Sequence, residues 1–431
     1  MKKVLVIFLN LLFLKGFLMA VELKKVEVKG VEIPVLYEKN SQLPLFFVQI
    51  VFKGAGGVSN QKNYGLSDVV SSLLNEGTQK LGVTKFAQKL EEKALSLSVG
   101  SGLETMNFTL SGMSKEQESG LKYLKDLMQD PNFTPKALQK VKENSLIGIL
   151  ERENDFDYQA NRALSAMLFK GSVLENPLSG TKETLAQMSL EEIEQFYHKY
   201  VNLKSAIVIV GGDVDYAKIT RSLADLLAVL PVGDSVEIKP FSANDKPQTK
   251  RQIKETKQAY IYFGSPLNVE NLQKESALIK VASFVLGGSG FGSRMMEEVR
   301  VKRGLAYSAV MQLEAEKTFS YARGYLQTSL KNEKEAQKLV QEVVDEFVAK
   351  GISEQELQEA KQYLLGSEPL HNETLSQRLG SAFNNYYKDL PLDFNAQVLQ
   401  EIQNLTLKEV NDYIKSHKEI TKLTFSVVSA D

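Results

Sequence analysis

The sequence predicts an α+β fold built from two homologous copies of one domain. Two observations carry this prediction. Segments recur in the same order at a nearly constant offset, and within each half strands precede long covering helices with no strict βαβ alternation. The first echo matches Phe133–Lys142 with Ile352–Lys361, a shift of 352 − 133 = 219. The second matches Met188–Ile193 with Leu405–Val410, a shift of 405 − 188 = 217. Each segment carries a Ser or Thr N-cap, followed in three of the four by an acidic residue two or three positions on, then an amphipathic stretch. The second echo leads in both halves into a β-rich run, Ser205–Val210 and Lys422–Val428. The period is far too long for a solenoid, so the chain is one domain duplicated.

The elements follow from patterning. Residues 25–38 and 46–54 alternate like paired antiparallel strands. Helical periodicity covers 66–75 and 84–93, strands are expected near 95–100 and 105–112, and long helices near 115–129 and 135–152. The second half repeats this order. A strand at 258–263 is followed by helices at 273–286 and 293–302. Strands near 305–313 and 320–329 come next, then helices near 332–349 and 353–367. Between the halves, residues 231–257 carry Pro, Gly, Asp and Lys with little periodicity and read as a linker. The expected units are therefore 1–20, 24–230, the linker 231–257, and 258–431.

Residues 1–20 read as a secretory signal. Lys2 and Lys3 form the basic start, Val4–Leu14 a short apolar core, and Leu18-Met19-Ala20 the cleavage site. Export to the periplasm or beyond is expected, with retention as an inner-membrane anchor the alternative; Lys15 interrupts the apolar run, which is short for a span. The chain holds 52 Lys+Arg against 53 Asp+Glu. Without Lys2, Lys3 and Lys15 this becomes 49 against 53, a charge of −4, so no basic excess argues for nucleic acid. With no Cys, disulfides, thiol catalysis, lipidation at Cys and Cys-ligated metal are excluded.

Two motifs stand out. Gly65–Thr78 has a Gly-Leu-Ser lead-in, an apolar helical frame and a Gly-Thr exit, with Asp68, Ser71 and Ser72 at its three polar positions. Gly287-Gly288-Ser289-Gly290-Phe291-Gly292-Ser293-Arg294 opens a helix; Arg300 lies near its end, and Gly304-Leu305-Ala306-Tyr307 follows. A helix rather than a strand is expected before these glycines, which excludes a dinucleotide fingerprint.

Both motifs resemble those of the pitrilysin, insulysin and mitochondrial processing peptidase family. There the first frame holds H-x-x-E-H, two His binding zinc and a Glu polarising the attacking water. Here Asp68, Ser71 and Ser72 stand at those positions, so the resemblance implies a member without its own zinc or general base. The second motif resembles the family's arginine–tyrosine pair, matched by Arg300 and Tyr307, which completes the active site by holding substrate. Gly287, Gly288, Gly290 and Gly292 match, in shorter form, the glycine-rich substrate loop of a non-catalytic processing-peptidase subunit.

The resemblance covers about residues 24–430. It implies a heterodimer in which this chain binds peptide substrate and supplies Arg300 and Tyr307 in trans, while a homologous partner carries zinc on H-x-x-E-H. The isolated chain could pair with itself. The alternative is an inactive scaffold of the same fold, as in the core subunits of the respiratory bc1 complex. A third option is an oxygen site for a hard cation made by Asp68 and Glu76 with Glu143 or Glu151. The three His, His198, His371 and His417, have no ligand spacing among themselves. No local pattern gives Ser71 or Ser72 a base for nucleophilic catalysis.

Overall fold

The structure, a computed structural model, describes residues 21–431; the expected signal segment lies outside the described residues. Eleven strands among these residues form two sheets: β1 Glu22–Val28, β2 Val31–Lys39, β3 Leu45–Lys53, β4 Ser96–Ser101, β5 Thr105–Met113 and β6 Ala206–Gly212 in the first, and β7 Thr249–Ile253, β8 Gln258–Pro266, β9 Ala306–Ala315, β10 Ser320–Ser329 and β11 Thr424–Ser429 in the second. The orders are β1-β2-β6-β3-β5-β4 and β7-β11-β8-β10-β9. β2–β6 and β7–β11 are the parallel pairs, and every other pairing is antiparallel. Setting β2 on β7, β6 on β11, β3 on β8, β5 on β10 and β4 on β9 superposes the two connectivities, with β1 as the extra strand. The duplication read from the echoes is thus written into the sheets.

Helices of the first half are α1 Leu66–Leu74, α2 Gly82–Glu91, α3 Gln117–Gln129, α4 Pro135–Arg152, α5 Phe156–Leu168, α6 Lys182–Gln187, α7 Leu190–Tyr200 and α8 Tyr216–Leu227. Those of the second are α9 Leu272–Ser283, α10 Arg294–Met296, α11 Glu333–Lys350, α12 Glu354–His371, α13 Leu375–Tyr387, α14 Phe394–Asn404 and α15 Leu407–Ser416. π-turns extend α9 through Phe284–Gly288 and α10 through Glu297–Val301. Among the described residues no helix is long and apolar enough to cross a membrane.

The strand expectations need three corrections. Residues 25–38 are a hairpin, not one strand, because Lys29 and Gly30 turn the chain at positive φ. The first two expected strands do not pair with each other; β6, distant in sequence, lies between β2 and β3. Its run of apolar β-branched residues is buried along its whole length, as a central strand covered on both faces requires. Residues 249–253, inside the stretch read as linker, form β7 on β11.

Covering both faces of each central strand needs helices that the sequence reading did not mark. One face carries the half's own helices, around Ile50, Phe52, Leu73 and Phe108 in the first half and Phe263, Met311, Val344 and Phe347 in the second. The other face is covered by exchange. α5 leaves the first half and packs on β8 and β11, and α13 leaves the second and packs on β2 and β6. Leu379 of α13 joins Leu36, Val51, Ile207 and Ile209 in one apolar cluster. The two exchanged helices start 375 − 156 = 219 residues apart, the offset of the first echo. Arg378 of α13 donates from Nε and Nη2 to the buried Glu38 carboxylate, at distances of 2.6–3.1 Å, and so ties the halves together.

Candidate functional site

Helix α1 carries the degenerate motif. Its N-cap, Gly65, has φ of 90°, and a Cβ there would lie 2.8 Å from the Ser179 carbonyl oxygen. Glycine is therefore required by both conformation and crowding. Leu66, Val69, Val70, Leu73 and Leu74 are buried against the first sheet. The frame around the zinc-type positions thus has a packing role of its own.

The polar positions have become something else. Ser71 is 4% exposed, and its Oγ donates to the Asp68 carbonyl at 2.9 Å. A hydroxyl spent inside its own helix is neither ligand nor base. Asp68 faces a cavity of about 370 Å³. Burial pushes its carboxyl above the ordinary carboxylate range, partly offset by the nearby Arg152 guanidinium. Arg162 also lines this cavity, with Tyr158 and Phe169, while Phe319 and Tyr321 come from the second half. Burial, with Glu314 beside it, pushes the Tyr321 phenol up to about 12.

One carboxylate, two hydroxyls and two guanidinium groups do not fit zinc, which takes neutral His and anionic ligands. The hard-cation alternative also fails. Glu76 is bonded to Lys140 at 2.8 Å, Glu143 accepts from Gln139 at 2.8 Å, and among the described residues no three His, Asp or Glu side chains gather to hold an ion. His198 and His371 are exposed. His417 is buried in the second half, with Nδ1 at 2.8 Å from Glu419.

Just past α1, Asn75 closes part of the adjoining sheet edge. Val99 of edge strand β4 donates its N–H to Asn75 Oδ1 at 2.9 Å, and Asn75 Nδ2 donates to the Val99 carbonyl at 2.7 Å. The outward-facing hydrogen-bonding pair of Val99 is therefore satisfied within the chain.

The second motif builds a different site. Gly287 packs so tightly on β9 that a Cβ would come 2.4 Å from the Met311 nitrogen. Gly290 and Gly292 take positive φ on either side of Phe291, turning the loop so that this ring is 67% exposed. Ser293 then caps α10, accepting from the Met296 N–H. Arg294 is structural: its guanidinium donates to Glu356 at 2.6 and 2.8 Å and to the Gly351 carbonyl at 2.7 Å.

Arg300 behaves differently. Its Cζ lies 4.2 Å from the Tyr307 ring centroid and 4.6 Å from that of Phe291, and Tyr307 is 82% exposed. The guanidinium is held by two rings, with no carboxylate in ion-pair contact among the described residues. Cation–π stacking covers a guanidinium face and leaves its N–H edge free to donate. Arg300 and Tyr307 are thus brought together, but they do not line the Asp68 cavity.

Sequence reasoning missed Phe291, Asn75, Arg152 and Arg162. An aromatic between two glycines was a visible signal for Phe291. The others depend on which elements become neighbours, which no local spacing encodes.

Comparison with known proteins follows these features. Residues 35–182 match the family described as insulinase (peptidase family M16), and residues 187–364 match its inactive domain. A protein of Helicobacter pylori named a non-peptidase homolog, YmxG, is 42% identical over 429 residues, covering 100% of this chain and 99% of its own. The solved peptidase M16 inactive domain from Pseudomonas fluorescens aligns with a TM-score of 0.86 and 23% identity over 95% of this chain and 98% of that one. A protease from Helicobacter pylori aligns with a TM-score of 0.80 and 15% identity over 95% and 100%.

Proposed function

This chain belongs to the insulinase family, peptidase family M16, and on that premise we propose that it is the non-catalytic, substrate-binding subunit of a two-chain zinc peptidase. The partner is a homologue carrying H-x-x-E-H and the zinc, and together they cleave peptides or small unfolded proteins. Export to the periplasm by the segment 1–20 belongs to the same proposal.

The observation that carries it is the contrast between the two motifs. At α1 the metal positions are Asp68, Ser71 and Ser72, with Ser71 engaged inside the helix. At the second motif, Arg300 in the turn that extends α10 is stacked on the Phe291 and Tyr307 rings, and Tyr307 on β9 is exposed. An Arg fork can hold a substrate carbonyl or carboxylate, and a Tyr hydroxyl can donate to an oxyanion that forms at the partner's zinc. That Helicobacter pylori has both a non-peptidase homolog and a protease of this fold supports a division of labour. Peptide would add as an extended strand to a sheet edge, and the Asn75 cap excludes the register that uses Val99 unless Asn75 is displaced.

The test is to assay this chain alone and mixed with an H-x-x-E-H homologue from the same cell. Activity only in the mixture is expected. Full activity of this chain alone sinks the proposal. A purified envelope complex that holds this chain without any zinc peptidase would favour the scaffold reading instead.

A further inference from the structure

We propose that the cavity at the lost zinc position is a carboxylate-binding pocket, which takes a peptide carboxylate between Arg152 and Arg162 and an adjoining apolar side chain against the aromatic wall. The proposal rests on the reading that this chain binds peptide; it does not require the partner.

Charge is the first argument. Arg152, Arg162 and Asp68 are the charged residues that line the cavity, so with Asp68 ionised the lining carries +2 − 1 = +1. One carboxylate balances that charge, and protonation of Asp68 only raises the positive excess, so an anion is favoured in either state.

The second argument is unsatisfied donors. Arg162 gives Nη1 to the Leu174 carbonyl at 3.2 Å and Nη2 to the Glu175 carbonyl, and its Nε is buried with no partner. A buried donor without a partner is costly. Arg152 packs its guanidinium 5.7 Å from the Tyr158 ring centroid and has no carboxylate in ion-pair contact among the described residues. Among the described residues, two guanidinium groups line one cavity with a single carboxylate, Asp68, that makes no ion-pair contact with either, so a second anion can pair with them.

The third argument is shape. Phe169 lies 5.3 Å from Tyr321 and 6.3 Å from Phe319, centroid to centroid. These rings, with Leu174 and Leu178, give the cavity an apolar part of its lining beside the charged groups. A volume of about 370 Å³ sits at the small end of ligand sites, roughly 300–1,000 Å³, and suits one or two residues of a peptide. Because the wall comes from both halves, the pocket exists only in the folded, duplicated chain. The site that holds a cation in active relatives would here present cations to an anion.

Fluorescent peptides ending in Phe test this on the chain alone, as the free acid, as the C-terminal amide, and as the amide with an internal Glu. Inorganic phosphate serves as competitor. The free acid should bind at least about 10-fold tighter than the plain amide, one decade being about 1.4 kcal/mol. Arg152→Ala should bring that ratio close to one. Recovery of affinity by the Glu-containing amide assigns the carboxylate to an acidic side chain; no recovery assigns it to the chain terminus. Either result keeps the pocket. Equal binding of free acid and plain amide overturns the proposal, as does an unchanged ratio in Arg152→Ala or tighter competition by phosphate than by the free acid. Arg152 lies at the exposed end of α4, so this variant should fold; Arg162→Lys, which keeps the charge, gives an independent reading. No binding of any of these peptides to the unaltered chain, with the mixed-subunit activity intact, would refute the pocket and leave the proposed function standing.

Discussion

At the scale of single residues, this chain differs from a self-sufficient zinc peptidase by side chains that keep the helix and remove its chemistry. Ser71 donates to the Asp68 carbonyl, and Asp68 shares its cavity with Arg152 and Arg162. Installing Asp68→His, Ser71→Glu and Ser72→His together should therefore fail to give stoichiometric zinc by metal analysis, because two cations share the cavity and, among the described residues, no carboxylate is gathered there as the third ligand. Asn75 makes a second residue-scale prediction. Asn75→Leu, close in size, removes both bonds to Val99 and bares an edge pair. Amide exchange at Val99 should speed up, and the variant should associate through this edge more readily than the parent in sedimentation. The motif positions were legible in the sequence because they are local. Asn75 and the two arginines were not, since their roles arise from β4, α4 and α5 meeting α1 in space.

At the scale of elements, the glycine loop and α10 show how an exposed residue is fixed by packing behind it. Gly287→Ala places a methyl against the backbone of β9 and should cost about 1–3 kcal/mol, read by denaturant unfolding. Arg294 joins α10 to the N-terminus of α12 through Glu356. Burial is the largest single influence and raises the Glu356 carboxyl, but the hydrogen bonds from Arg294 and Ser353 together with the Arg294 charge outweigh it, and the net shift is downward. A carboxyl held below its unfolded value adds stability that is present above that value and is lost as pH falls through the folded one. Arg294→Ala should therefore destabilise at neutral pH and flatten the loss of stability on the acid side. Long helices such as α4, α11 and α12 were legible from periodicity. The placement of β6 between β2 and β3 was not, because its partners are far away in sequence and only its unbroken apolar run hinted at a central position. The exchanged helices α5 and α13 were missed for a related reason: each packs on the opposite half's sheet.

At the scale of the whole molecule, the duplication is a reciprocal clasp. α5 and α13 trade sheets, and Glu38, 2% exposed, is held by Arg378 from the other half. Removing one partner of such a pair leaves a buried charge, so Arg378→Ala should lower stability by roughly 3–5 kcal/mol, with both halves unfolding in one transition by calorimetry. The clasp also bears on function. It builds the Asp68 cavity from both halves while Arg300, Phe291 and Tyr307 remain outside that cavity's lining. One rigid chain with these two sites apart is the form expected of a subunit that contributes to a neighbour's chemistry.

The most direct measurement is the turnover number of a reconstituted pair in which this chain carries Arg300→Ala and the zinc-bearing homologue is unaltered. The account predicts a complex of normal stability, unchanged zinc content, and a kcat lowered by roughly 10²-fold, the scale expected when a group that positions the substrate is lost. An unchanged kcat in a fully formed complex would contradict it.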